Sequence, residues 1–435
     1  MTNVAKASNS TWAMIAYGLL GLPLAMSALP VYVQVPTYYT TQLGLALSSA
    51  GWILFLARFI DALQDPLLGR MIDKQHRKNG QLVMWFCVAG FMLAAAFFGL
   101  WLPPVSVDYL GLWLAAMLVF AYVAHSMLNI AYLSWGARLA GEQKDENSAA
   151  PVSSRLNAAA WREAAGLIGV ILASVIPSII IAGDVRQVPS LMGWYSAVFA
   201  VLLVLSIALL LRAAPIWQRS TGIVLDRRTE WNNMRANQAF KALLPPYFLN
   251  AISVSVPATL VLFFINDRLQ ASSYSAAFLA SYFVAAAIGL PCWVKLAHRI
   301  GVITAWRWGM LLAVLAFVSA AMLGAGAIMP FFVVCIASGF ALGADLALPP
   351  VLLSTVIDAD AAPAAYYGIW TLLAKFALAV SGLTLPLLAY VDYHPGQPAN
   401  AYLALAYAGI PCVAKLFALF LLLRLSRLLK EANHA

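Results

Sequence analysis

Residues 48–78 read SSAGWILFLARFIDALQDPLLGRMIDKQHRK, and the passage changes character a third of the way through. Ser48 to Ala57 is almost wholly apolar, yet Arg58, Asp61 and Asp65 follow at once. Asp61 and Asp65 lie four residues apart, so on a helix they stack on one face about one turn apart, and Arg58 reaches the same side. Two readings fit. Either Asp65-Pro66 ends the helix, with Arg58 and Asp61 a buried pair, or two repelling carboxylates hold a cation or share a proton.

The rest of the chain decides what kind of helix this is. Of 435 residues, 63% are hydrophobic and 10% charged, with a mean hydropathy of +0.84. Soluble domains carry roughly 25% charged residues, so this chain is built for lipid. Apolar windows of about 20 residues, enough to cross a bilayer, recur from end to end. They predict twelve spans near 12–36, 45–64, 81–102, 107–134, 157–182, 190–211, 242–265, 273–296, 302–324, 328–357, 364–390 and 399–423. The tenth contains Pro349-Pro350 and is read as a span that can kink or break there. The N-terminal stretch is expected to stay as the first helix, because its apolar run is too long for a signal-peptide core.

The net charge of +9 is explained by topology. Lys6, the run Arg70, Lys74, Arg77 and Lys78, and Arg138, Lys144 and Arg155 fall on one side of the predicted spans. The same side holds Arg212 to Lys241, Lys295, Arg299, Arg307, Arg424, Arg427 and Lys430, whereas the opposite loops hold Arg186 and Arg268. Lys and Arg mark the cytoplasmic face, so both termini are expected inside a bacterial-type inner (plasma) membrane, and no nucleic-acid partner is needed. Cys87, Cys292, Cys335 and Cys412 stand singly in apolar runs without a CxxC or a histidine partner, and are read as small hydrophobes.

The longest polar stretch, 212–238, divides the spans six and six. The expected organisation is an N-terminal bundle over 1–212, a cytoplasmic central loop over 213–240 and a C-terminal bundle over 241–435. A faint repeat supports it: GRMIDKQHRKNG follows the second span and VKLAHRIG follows the second span of the other half, each read as a short basic loop. Repeats of this kind build many transporters.

A charge at the bilayer centre costs about 2.5–3.5 kcal/mol on insertion scales and marks a pair or a watery path. Besides Arg58, Asp61 and Asp65, the candidates are Arg162 and Glu163, Asp345, Lys375 and Lys415. Lys375 sits centrally in its span and calls for an acidic partner or a cavity. Lys415 lies nearer the inner end and is expected to snorkel in part. His125, Ser126, Asn129 and Tyr132 form a polar stripe on the fourth span. Ser126 and Asn129 either offer oxygens to a cation or a solute, or only join helices.

The stretch RFIDALQDPLLGRMIDK resembles the second-helix signature of the glycoside–pentoside–hexuronide:cation symporters of the major facilitator superfamily. The matching positions are Arg58, Asp61, Ala62, Asp65, Pro66 and Gly69. Gly69, Asp73, Lys74, Arg77 and Lys78 also resemble the superfamily's loop motif, with His76 where a second glycine is usual. NAAAWREAAGLIG, LPCWVKLAHRIG, STVIDAD and YGIWTLLAKFALAVSG are similar to the family's fifth, eighth, tenth and eleventh helices, in that order, with Arg162 and Lys375 on the family's arginine and lysine.

The resemblance implies a fold of twelve helices in two six-helix bundles and secondary transport of a small-molecule solute coupled to Na+ or H+. It implies a cation site at Asp61 and Asp65, with Gln64 and Ser126 beside it; separately, the sequence has no histidine cluster, GxSxG elbow or metal-ligand spacing to support an enzyme, and no cofactor is expected. Such folds generally act as monomers among membrane lipids. Asn129, Arg162, Lys375 and Trp370 are the expected solute contacts, while Arg58, Gly69, Asp73 and Arg77 are expected to gate or latch. The family's glycoside-binding aspartates fall here on Ala25 and Asn129. A first span with Gln34 and tyrosines but no charge keeps a second cargo class open: a lysolipid or drug-like amphiphile, with proton antiport as an open mode.

Overall fold

The computed structural model describes residues 11–79, 83–138, 150–213, 234–357, 363–397 and 401–432. Within them the regular structure is helical throughout. Hydrocarbon offers backbone groups no water to bond, so each spanning segment must satisfy its own. Eleven of the described helices are long and apolar enough to cross a membrane. A further one, Leu47–Asn79, carries Arg58, Asp61 and Asp65, whose polarity keeps it outside that count.

This helix corrects the sequence reading of the second span. It does not end near residue 64 or at Asp65-Pro66 but runs for 33 residues to Asn79. At 1.5 Å per residue that is about 50 Å, well beyond a hydrocarbon core of about 30 Å. The basic segment expected to be a loop is therefore helical. One face of the helix, with Trp52, Leu56, Phe59, Leu63, Leu67 and Met71, is exposed and apolar at three- and four-residue spacing, as a lipid-facing stripe requires. Ala57, Arg58, Ala62 and Leu68 are buried on other faces.

Two further differences concern breaks. The tenth span, Ile328–Val356, continues through Pro349 and Pro350 as one helix. The eleventh span breaks instead, into Pro363–Gly382 and Thr384–Tyr390. Pro386 has no N–H to return to the Gly382 carbonyl, so the helix turns there, and the Leu383 N–H bonds back to the Val380 carbonyl.

Contacts divide the chain into two compact units. The first comprises Met1–Val35 and Ile60–Ile223, the second Pro36–Phe59 and Val224–Ala435. The division falls inside the second span, between Phe59 and Ile60. Residues 214–233, most of the expected central loop, lie outside the described residues.

The repeat is written in the backbone. The first span closes in a π-helical turn, Tyr38–Gln42, and the seventh closes in another, Phe264–Arg268. The Leu43 and Leu45 amides bond to the Tyr38 and Tyr39 carbonyls; the Leu269 and Ala271 amides bond to those of Phe264 and Ile265 in the same pattern. Between each pair of amides sits one left-handed residue, Gly44 at φ 80° and Gln270 at φ 52°. Only glycine takes that conformation without steric cost, so the second copy keeps the turn despite its residue.

Candidate functional site

In the first unit, Asp61 is the centre of a small polar cluster. Its Oδ1 accepts hydrogen bonds from Gln64 Nε2 at 2.9 Å and from Ser126 Oγ at 3.1 Å. Gln64 reaches it because residues three apart share a helix face; Ser126 comes from the fourth span, Leu110–Arg138. Asp65 follows one turn along, partly buried like Asp61 and Gln64. Carboxylate, hydroxyl and amide oxygens are the ligands hard cations prefer, and a carboxylate held by neutral donors can equally accept a proton.

The remaining polar stripe of the fourth span works mainly as a joint. The Tyr132 hydroxyl donates to the Tyr17 and Gly18 carbonyls, and the Tyr17 hydroxyl donates to the Tyr132 carbonyl. His125 Nδ1 lies 3.0 Å from Ser27 Oγ. Asn129 is partly buried on the same helix. Arg162, on the fifth span, has its backbone against the first span, where a Cβ on Gly21 would come within 2.7 Å of the Arg162 carbonyl oxygen. Gln34 is fully buried and donates from Nε2 to the Ala173 carbonyl at 3.1 Å. That carbonyl loses its helical partner because Pro177, four residues on, has no N–H.

Arg58 belongs to the second unit and is 1% exposed. Its Nη1 donates to the Leu378 carbonyl at 2.7 Å and to Ser381 Oγ at 3.2 Å. Thr259 Oγ1 lies 3.0 Å from Ser381 Oγ. A guanidinium at the end of Pro363–Gly382 meets the negative end of that half-helix, so the break is where Arg58 is anchored. Gly69 lies in the helical extension of the second span; the side chains of Asp73 and Arg77 lie outside the described residues.

Trp370 and Lys375 share the eleventh span in the second unit. Trp370 is buried and stacks on Tyr247 with ring centroids 3.3 Å apart, and Lys375 is partly buried. At the far end of the seventh span, the Tyr393 hydroxyl donates to Asp267 Oδ2. Burial, and then the neighbouring carboxylate, push the Tyr393 phenol up from its ordinary range.

Lys415 does not snorkel. It is 2% exposed, and its Nζ donates to Asp345 Oδ2 at 2.7 Å and to Ser253 Oγ at 3.3 Å. Trp306 Nε1 donates to the other oxygen, Asp345 Oδ1, at 2.9 Å. Sequence offered both charges but not their pairing, since seventy positions separate them and nothing in an apolar span says which face turns inward. Cys335 and Cys412 are buried, whereas Cys87 and Cys292 are on the surface; all four are free thiols.

Long apolar helices with a few buried charges define an integral membrane protein. Residues 14–427 match the family described as MFS/sugar transport protein, and the chain belongs to that family within the major facilitator superfamily. It is similar, at 26% identity over 106 residues, to the "Uncharacterized symporter YnaJ" of Bacillus subtilis (strain 168), over 23% of this chain and 22% of that protein. A second stretch, 26% identical over 163 residues, resembles the "Sphingosine-1-phosphate transporter MFSD2B" of Mus musculus, over 37% of this chain and 33% of that protein. The matched stretches thus span a third or less of these relatives.

Among solved structures, nucleoside transporter NupG superposes with a TM-score of 0.65 at 15% identity, covering 97% of this chain and 99% of that one. A bacterial homologue of the iron transporter ferroportin, inward-facing, gives 0.64 at 16% identity over 95% and 98%. Identities this low carry the fold alone.

Proposed function

We propose that the protein is a symporter that couples uptake of a small organic solute to Na+ or H+. The observation that carries this reading is Asp61, stacked a turn before Asp65 and bonded by Gln64 and Ser126. Cation binding turns the Ser126 and Gln64 oxygens toward the ion, while protonation places the charge on the carboxyl itself. Either neutralises a carboxylate inside the membrane and so favours one conformation of the carrier over another. Asn129 and Arg162 in the first unit, and Trp370 and Lys375 in the second, are the proposed solute contacts. Arg58, Gly69, Asp73 and Arg77 are the proposed gating and latch residues, and the basic segments support a reading with both termini on the cytoplasmic side of an inner membrane.

The solute is sugar-like on the resemblance to the glycoside–pentoside–hexuronide:cation symporters. A second class, a lysolipid or other amphiphile, is favoured by one observation: the first span offers no charge at Ala25, and the Gln34 Nε2 is committed to the Ala173 carbonyl. The similarity to a sphingosine-1-phosphate transporter points the same way. Counterflow in proteoliposomes against glycosides and lysolipids, with sodium and the pH gradient removed in turn, separates the two. One class is expected to exchange, with concentrative uptake collapsing when its cation is withdrawn. Concentrative uptake that is indifferent to both cations overturns the symport reading.

A further inference from the structure

A buried polar set that the coupling chemistry leaves unused lies in the second unit. The Asp345 carboxylate is 5% exposed and the Lys415 ammonium 2%. Four helices contribute to it: Ser253 from Gln238–Phe263, Trp306 from Val302–Ala321, Asp345 from Ile328–Val356 and Lys415 from Ile410–Ala432. The polarity of every hydrogen bond suits a charged pair. Trp306 Nε1 can only donate, and it donates to the anion. The Ser253 hydroxyl passes its own proton to the Asn250 carbonyl at 2.6 Å, which leaves its lone pairs facing the ammonium.

The position within the helix matters as well. The fourth span, Leu110–Arg138, and the tenth, Ile328–Val356, each have 29 residues. Aligned on their first residues, Asp345 falls one position beyond Ser126. Each unit thus holds a carboxylate centre at matched depth in its own helices.

We propose that Asp345 is a cation site whose resident cation is the protein's own Lys415 ammonium. The tether keeps the carboxylate neutralised through every conformation and pins four helices of the second unit in one geometry. A cation bonded to the chain cannot leave with a solute, so exchange of the coupling ion is confined to the first unit. That last consequence, and it alone, rests on the function proposed above.

The test empties the site and refills it. Lys415→Ala removes Cγ through Nζ, the atoms of an n-propylammonium ion, and strands the carboxylate. The variant is expected to melt at least about 5 °C below the parent. n-Propylammonium chloride is expected to restore at least half of that loss, and tetramethylammonium chloride at equal ionic strength none of it. The proposal is overturned if Lys415→Ala melts with the parent, or if both salts act alike.

Asp345→Asn combined with Lys415→Met removes both charges at similar volume. It is expected to melt within about 2 °C of the parent, with no response to n-propylammonium and with the parental cation dependence of uptake. A double variant no more stable than Lys415→Ala overturns the proposal. Where Lys415→Ala cannot be recovered folded, recovery of the double variant decides in favour and its absence against. The melting data do not involve transport, so they stand or fall separately from the symport reading.

Discussion

The two units each bury a carboxylate, and each surrounds it differently. In the first, the partly accessible Asp61 takes hydrogen bonds from Gln64 on its own helix and from the buried Ser126 of the fourth span. In the second, Asp345 faces an ammonium and an indole N–H, and the pair is almost sealed. A partly accessible carboxylate beside hydroxyl and amide groups suits a cation that comes and goes. A tethered ammonium fixes the charge, because separating a buried pair is far more costly than exchanging a bound ion. One fold therefore carries a centre suited to turnover and a centre suited to permanence.

Two substitutions probe this contrast and two more probe the paired π-turns, in decreasing order of effect. Trp306→Phe keeps the ring but removes the donor to Asp345 Oδ1, and is expected to cost about 1–3 kcal/mol of stability. The cation concentration for half-maximal uptake should not move; if it does, the second centre takes part in exchange. Ser126→Ala removes a donor from Asp61 at a cost of only about 1 kcal/mol, seen as a roughly fivefold shift in half-saturating cation with little change in melting. A melting change as large as that of Trp306→Phe, with no shift in cation response, would reverse the roles. Gln270→Gly relieves the left-handed residue in the second π-turn and is expected to stabilise by about 0.5–1 kcal/mol, measured by thermal melting. The parallel change Gly44→Ala should destabilise, and equal responses would show that the two turns are not strained alike.

Much of this was readable from residues alone. Apolar windows located the spans because nothing in a helix facing lipid competes with hydrophobicity. Asp61 and Asp65 were readable as one face because their spacing is local, while Gln64 entered only through the family resemblance. The extent of the second span was not, since the mostly polar ten residues beyond Gly69 look like a loop until helix length is compared with bilayer thickness. Pro349-Pro350 looked like the break, yet the break fell at Leu383, where Gly382 and Pro386 act together at the end of a half-helix held by Arg58. Long-range partners stayed hidden for a common reason. Gln34 with Ala173, Arg58 with Leu378 and Lys415 with Asp345 are separated widely in sequence, and an apolar helix does not announce which side faces its neighbour.

The most direct measurement is cation-driven solute uptake in proteoliposomes by Asp61→Asn and Asp65→Asn beside the parent, with counterflow recorded on the same vesicles. Each variant is expected to lose cation-driven accumulation by about 10–100-fold while still exchanging solute in counterflow. Parental accumulation in both variants, with an unchanged requirement for sodium or protons, would contradict a coupling site at Asp61 and Asp65.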